Sequence, residues 1–282
     1  LPTNPDNILK FDAAWLMISS NLLYRSDDGG ITWTEKTLPF YPQRDITLQD
    51  SLLVGFVSDT AYISSDLGIT WNKEVAGGDL TFTDSLGNTF SGFIYAPQAV
   101  RISGGVIYVA GFSTIQGLFS GMFKRTIGDT LWHAMPLPAS NITNVLTFTE
   151  FNGKLYISTS LGVFRTTESG GWEAVNEGLP VTSGISFTAQ TIRASGNQLY
   201  IVVNTTPSGL YFFNDDVWVH AGLSGFPSSV EINDGVVYAT VAGNSYKKTG
   251  TGDWETFGQD VIASTSTALP MNRDTVFSIY RR

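Results

Sequence analysis

The chain of 282 residues has no cysteine, which excludes disulfides and thiolate metal sites. Charged residues make up only 15% of it, against the quarter or so usual for soluble domains. Serine, threonine, asparagine and glycine supply the polarity instead, a mix common in secreted β proteins. Basic residues are the scarcer sign: 16 Lys and Arg against 25 Asp and Glu leave a net charge of −9. DNA, RNA and anionic membrane are therefore poor candidate partners. No apolar run approaches the roughly 20 residues of a membrane helix, so no membrane insertion is expected. Helical periodicity is missing too, as are H-E-x-x-H, G-x-S-x-G, P-loop and G-x-G-x-x-G contexts. The chain opens at Leu1-Pro2 without methionine and is expected to be a processed or excised piece, any signal peptide already lost.

What is abundant is apolar and aromatic: 42% and 13% of the residues, enough for a large β core. The chain is organised around Ser26 to Trp33, S-D-D-G-G-I-T-W, which returns as S-S-D-L-G-I-T-W at Ser64 to Trp71. Worn copies stand at Thr166 to Trp172 and Thr249 to Trp254, and looser ones at Thr126 to Trp132 and Asn214 to Trp218. Short apolar strands recur with the same beat. They begin at Trp15, Leu52, Val106, Lys154, Gln198, Val236 and Thr275, each bounded by Gly, Asn or Asp. A second strand follows six times with an aromatic and often a basic residue, as in Leu22-Leu-Tyr-Arg25 and Gly162-Val-Phe-Arg165. Then come the Asp-Gly turn and a strand opened by the tryptophan. One more strand precedes each core strand across a Gly-rich hairpin, such as Ser103-Gly-Gly or Asp234-Gly.

Four strands per repeat and no helix describe an all-β β-propeller spanning residues 1–282 as one domain. The expected blades are 6–40, 45–78, 93–138, 144–180, 187–226 and 228–260, with a partial seventh at 264–282. A six-bladed ring is the alternative. The third repeat is the longest, and Gly77 to Phe93 and Phe112 to Gly121 read as insertions, the long loops where binding usually lives. Phe82, Phe90 and Phe93 in the first insertion are candidates to stack on a sugar or a protein partner, or to staple the loop to its blade.

The pattern S-x-D-x-G-x-T-W resembles the Asp-box, or BNR, repeat, and the chain is similar to Asp-box β-propellers of exported bacterial type. The resemblance implies structural roles for Ser26, Asp28, Gly30, Thr32 and Trp33, and for Ser64, Asp66, Gly68, Thr70 and Trp71. Asp28 and Asp66 would accept backbone N–H bonds that close the turn, the glycines would take unusual backbone angles, and Trp33 and Trp71 would pack between blades. One carboxylate per turn is too few for calcium, so no metal is expected, and no cofactor. The family contains sialidases and xyloglucan hydrolases beside receptors and assembly factors, and the box does not choose among them.

A sialidase-like site would need three converging arginines, a Tyr–Glu pair and an Asp acid; Arg-Ile-Pro is absent. Arg101, Arg193 and Arg273 do lie near innermost strands. Arg101 precedes Tyr108, and Arg193 precedes Tyr200, by the same interval; Glu231 holds that place before Tyr238, and Thr149 in the fourth repeat. Their parity is opposite to Val100, Ile102, Ile192, Val230 and Ile232. They are candidate ligand-binding residues at the channel, or interblade ion pairs. Glu150, Asp79 and Asp84 show no pairing of the kind a glycosidase needs. His133 and His220 are expected to face solvent on outermost strands, and Asn141 and Asn204 open glycosylation sequons. The favoured reading is a non-catalytic, secreted or cell-surface module that presents a rigid disc to a protein or glycan partner, with membership of a longer chain or complex left open. A sialidase-like or other glycoside hydrolase with a degenerate signature is the alternative. An assembly clamp would call for a charged patch that the sparse charges do not supply.

Overall fold

The computed structural model describes residues 7–11, 14–41, 46–49, 51–57, 60–75, 80–83, 89–92, 94–114, 120–129, 131–135, 137–138, 142, 145–180, 189–195, 197–233, 235–250 and 252–257. All regular structure among them is β-strand. The expected partial seventh blade, 264–282, lies outside the described residues.

Six sheets follow one another along the described residues, each built on a four-stranded antiparallel meander. Blade one is β1 (Asn7–Phe11), β2 (Ala14–Ser19), β3 (Leu22–Ser26) and β4 (Thr34–Thr37). Blade two is β5 (Thr47–Gln49), β6 (Leu52–Val57), β7 (Thr60–Ser64) and β8 (Asn72–Val75). Blade three begins with an added hairpin, β9 (Leu80–Thr83) and β10 (Thr89–Gly92), before β11 (Ile94–Ser103), β12 (Val106–Ser113), β13 (Ser120–Thr126) and β14 (Trp132–Met135). Blade four is β15 (Val145–Phe151), β16 (Lys154–Thr159), β17 (Gly162–Thr166) and β18 (Trp172–Ala174). Blade five is β19 (Ala189–Ser195), β20 (Gln198–Val203), β21 (Gly209–Asn214) and β22 (Val217–His220). Blade six is β23 (Pro227–Asn233), β24 (Val236–Val241), β25 (Asn244–Thr249) and β26 (Glu255–Phe257). This is the blade arrangement of a β-propeller.

The insertion expected as a long loop is strand at its two ends. Leu-Thr-Phe-Thr and Thr-Phe-Ser-Gly alternate with period two, which suits a hairpin, and Phe82 pairs with Phe90 across it. β9 then adds in parallel to β14, with Trp132 opposite Leu80 and His133 opposite Thr81. The fourth strand of blade three is thus interior to its sheet, and His133, though exposed, is not on an outermost strand.

The chain divides into two compact units, Leu1–Leu137 and Pro138–Tyr280, each holding three blades. Within the first, β1 lies beside β5 and β5 beside β11; within the second, β15 lies beside β19 and β19 beside β23. Each core is therefore an interblade layer. Val54, Phe56 and Ile63 of blade two pack with Val100, Ile107, Phe123 and Trp132 of blade three. Val163, Val175 and Leu179 of blade four pack with Ile192, Ile201, Tyr211 and Trp218 of blade five. Blades two and five are covered on both faces by their neighbours, which is why their core strands read as continuous apolar runs rather than alternating ones.

Tryptophans at the fourth strand close these layers in the second unit. Trp218 donates its indole N–H to the Val175 carbonyl at 2.7 Å, and Trp254 to the Ala221 carbonyl at 2.8 Å, each acceptor lying on the preceding blade. In the first unit Trp71 meets Phe40 edge-on at 5.1 Å, between blades one and two. Trp33, half-buried, donates to the Gly30 carbonyl of its own turn at 2.9 Å.

Candidate functional site

The two S-x-D-x-G-x-T-W turns are built alike, from the side chains upward. Ser26 Oγ donates to Asp28 Oδ1 at 2.8 Å and accepts the Gly30 N–H at 2.8 Å. Asp28 then accepts the Ile31 N–H at 3.0 Å, the Thr32 N–H at 2.9 Å and the Thr32 hydroxyl at 2.5 Å. Ser64 and Asp66 repeat this with Gly68 at 2.8 Å and with the Thr70 N–H and hydroxyl at 2.8 and 2.6 Å. Gly30 and Gly68 sit at φ 94° and 86°, a region that disfavours side chains.

These bonds fix the titration of both carboxylates. For Asp28 the Thr32 hydroxyl, the Thr32 N–H and Ser26 hold the pKa at about 2. For Asp66 partial burial pulls upward, and Thr70 and Ser64 outweigh it, again to about 2. Hydrogen bonds to a carboxylate favour its charged form. A lowered folded-state pKa gives stability that is present above the unfolded value near 3.9 and lost as pH falls through the folded value. The thermal midpoint of the chain should therefore exceed that of an Asp28→Asn, Asp66→Asn variant at about pH 5, with the gap closing between about pH 4 and about pH 2. A gap that stays constant down to that limit would contradict the assignment.

The fourth blade makes the same turn with different residues. Thr167 Oγ1 accepts the Gly171 N–H at 3.0 Å and lies 3.0 Å from Ser169 Oγ. Thr167, Ser169 and Gly171 thus stand where Ser26, Asp28 and Gly30 stand in blade one, with two fewer residues before the tryptophan. Aligning the worn copy at Thr166 to Trp172 as T/S-x-S/D-x-G, without a fixed distance to the Trp, assigns these roles.

The polar positions on the innermost strands fall on one register line. Arg101 pairs with Tyr108, Thr149 with Tyr156, Arg193 with Tyr200 and Glu231 with Tyr238. The line continues to Lys124, Arg165, Phe212 and Lys247 on the third strands. Residues opposite one another in antiparallel strands share a face, and the alternate residues Val100, Ile192 and Val230 are buried against the preceding blade. Arg193 and Glu231 therefore occupy the same position on adjacent strands, while Arg101 belongs to the other compact unit. Arg273 lies outside the described residues, as do the side chains of Glu231, Phe82 and Phe90. Arg101 and Arg193 share one posture: each half-buried guanidinium donates to the carbonyl of the residue before it, at 2.7 and 3.2 Å.

Other charged groups bind blade to blade. Arg165 reaches Glu173 at 2.6 Å on its own blade and Asp216 on the next, and this contact pulls the Asp216 carboxyl below its ordinary range. Arg125, buried, pairs with Glu74 of blade two and lies 5.1 Å over the Trp132 ring. His220 accepts the Gly222 N–H through Nδ1 at 3.1 Å and meets Tyr211 edge-on. No three His, Asp or Glu side chains gather as a metal cage among the described residues, and no described helix is long and apolar enough to cross a membrane.

No family profile matches the chain, and no curated protein does. Solved structures match it in shape. YCF48 bound to D1 peptide superposes with a TM-score of 0.60 at 16% identity, over 93% of this chain and 85% of that one. The fold is a β-propeller. The extracellular domain of BT4673 from B. thetaiotaomicron gives 0.62 at 11% identity, over 94% of this chain and 34% of that one. The GH74 xyloglucanase from Xanthomonas campestris gives 0.59 at 14% identity, over 88% and 45%. At such identities the likeness is one of fold, and the fold hosts binding proteins and an enzyme alike.

Proposed function

We propose that the chain is a divergent, exported Asp-box propeller that acts as a non-catalytic binding or scaffold module for a protein partner. The observation that carries this reading is how three of its described carboxylates are used. Asp28, Asp66 and Asp216 are all displaced downward, and each holds a turn or an interblade contact. A glycosidase acid needs the opposite, a carboxyl pushed upward beside a second one across a cleft. YCF48, similar in fold, is a peptide-bound propeller, and the BT4673 domain is extracellular. A glycan partner is the second reading, favoured by Arg193 and Glu231 on adjacent innermost strands and by the xyloglucanase fold likeness.

Selection of a phage-displayed peptide library on the immobilised chain tests the first reading, with a glycan array run beside it. Enriched peptides that bind in solution, with an empty array, are expected. A glycan bound by the chain and lost on Arg193→Ala, without any enriched peptide, would transfer the reading to sugar recognition.

A further inference from the structure

Asn152 is the one asparagine of the chain that is followed by glycine. With Gly153 it forms the tip of the hairpin that joins β15 to β16 in blade four. Phe151 pairs with Lys154 across the tip, so the loop is two residues long, and both residues have positive φ, 50° and 71°. This is a type I′ turn, for which Asn-Gly is a favoured pair. Both residues are exposed, and a methyl group on the Gly153 Cα would meet nothing within 4 Å.

The turn does not require asparagine. Blade three has Gly104-Gly105, at φ 53° and 76°, between the paired Ser103 and Val106. Blade six has Asp234-Gly235 between the paired Asn233 and Val236. Blade four differs from these in carrying a carboxamide at the tip.

Glycine has no Cβ to shield its nitrogen, so it is the successor that most eases attack on an asparagine side chain. The attack joins the Gly153 nitrogen to Cγ of Asn152, and the Cγ–Nδ2 bond breaks. The Gly153 amide proton leaves with Nδ2 as ammonia. Water then opens the five-membered imide at either carbonyl and returns a proton to the Gly153 nitrogen. Opening at the side-chain carbonyl gives an aspartyl residue. Opening at the main-chain carbonyl gives an isoaspartyl residue, whose main chain runs through Cβ and Cγ. The imide ring holds the torsion after Asn152 at a value foreign to a type I′ turn, so the tip must open before the ring closes.

We propose that Asn152 is a site of spontaneous modification, converted to an aspartyl or isoaspartyl residue when the blade-four hairpin opens. The two products differ in consequence. The aspartyl form reproduces the Asp-Gly pair of blade six and keeps the register. The isoaspartyl form adds a main-chain atom to a two-residue loop, and Phe151 and Lys154 no longer stand opposite one another. Phe151 is 9% exposed, belongs to the layer between blades four and five, and meets Tyr156 edge-on at 6.0 Å. Lys154 lies 3.9 Å from Glu173, which also holds Arg165. A shifted register therefore disturbs the contact of blade four with blade five.

The test follows the chain in mildly alkaline buffer, folded and in urea above its unfolding midpoint. Peptide mass spectrometry locates each amide lost, and an isoaspartate methyltransferase with labelled S-adenosylmethionine counts the isoaspartyl product. In urea Asn152 is expected to convert faster than every other asparagine. In the folded chain it is expected to convert several times more slowly, yet measurably. Isoaspartyl molecules, separated by ion exchange, should unfold at a lower temperature than unmodified ones, while an Asn152→Asp variant should unfold with the unmodified chain. No conversion at Asn152 in the folded chain, or conversion in urea no faster than elsewhere, would overturn the site. Equal rates in the two conditions would overturn the control by the turn. Isoaspartyl molecules that unfold with the unmodified chain would overturn the consequence for the blades.

Discussion

Replacing Gly178 by alanine is expected to cost about 3–5 kcal/mol, a large share of a typical domain's stability. Gly178 sits at φ +84°, where an L side chain is strained, and a Cβ there would lie 2.0 Å from the Trp218 carbonyl oxygen. That oxygen is backbone of the next blade and cannot swing aside. To make room, blades four and five must part, and the Trp218 N–H would leave the Glu177 carbonyl it reaches at 2.8 Å. Gly222 provides the control: its φ is +80°, but a methyl group on its Cα would meet nothing within 4 Å. Gly222→Ala should therefore show the conformational cost alone, about 1–2 kcal/mol. Denaturant midpoints of the two variants separate the effects, and equal losses would contradict the close approach.

Trp218→Ala should cost a similar amount, about 3–5 kcal/mol. The indole is 1% exposed, packs on Phe213 at 4.7 Å and shares its layer with Val175, Leu179 and Ile192. Truncation leaves a cavity and strands the Val175 carbonyl, whose donor at 2.7 Å is the indole N–H. Trp218→Phe keeps much of the apolar contact and isolates the lost hydrogen bond, about 1–3 kcal/mol for a buried acceptor left unpaired. Trp33→Ala, on a half-buried ring bonded into its own turn, should cost clearly less than Trp218→Ala. The ranking is read from urea melts. A loss at Trp33 equal to that at Trp218 would mean that the first blade uses its tryptophan as the fifth does.

The blades were legible because several independent signals agree at each one. Apolar cores, Gly-bearing hairpins and a tryptophan after an Asp-Gly turn repeat along the chain, and the equal spacing of Arg101 to Tyr108 and Arg193 to Tyr200 became a shared cross-strand register. The insertion of blade three was harder to read. Its Gly and Asp content suggested loop, while the alternating Thr-Phe-Thr and Thr-Phe-Ser, which decide for strand, are only a few residues long. Thr166 to Trp172 reads as a worn copy, but the roles of Thr167 and Ser169 in it are hidden because a hydroxyl replaces the carboxylate and two residues are missing.

The most direct test of a binding rather than catalytic role is a set of progress curves on fluorogenic sialosides and xyloglucan oligosaccharides with the purified chain. Rates equal to those of buffer are expected for both substrate classes. Turnover abolished by Arg193→Ala in a folded variant would contradict the role and make the innermost strands an active site.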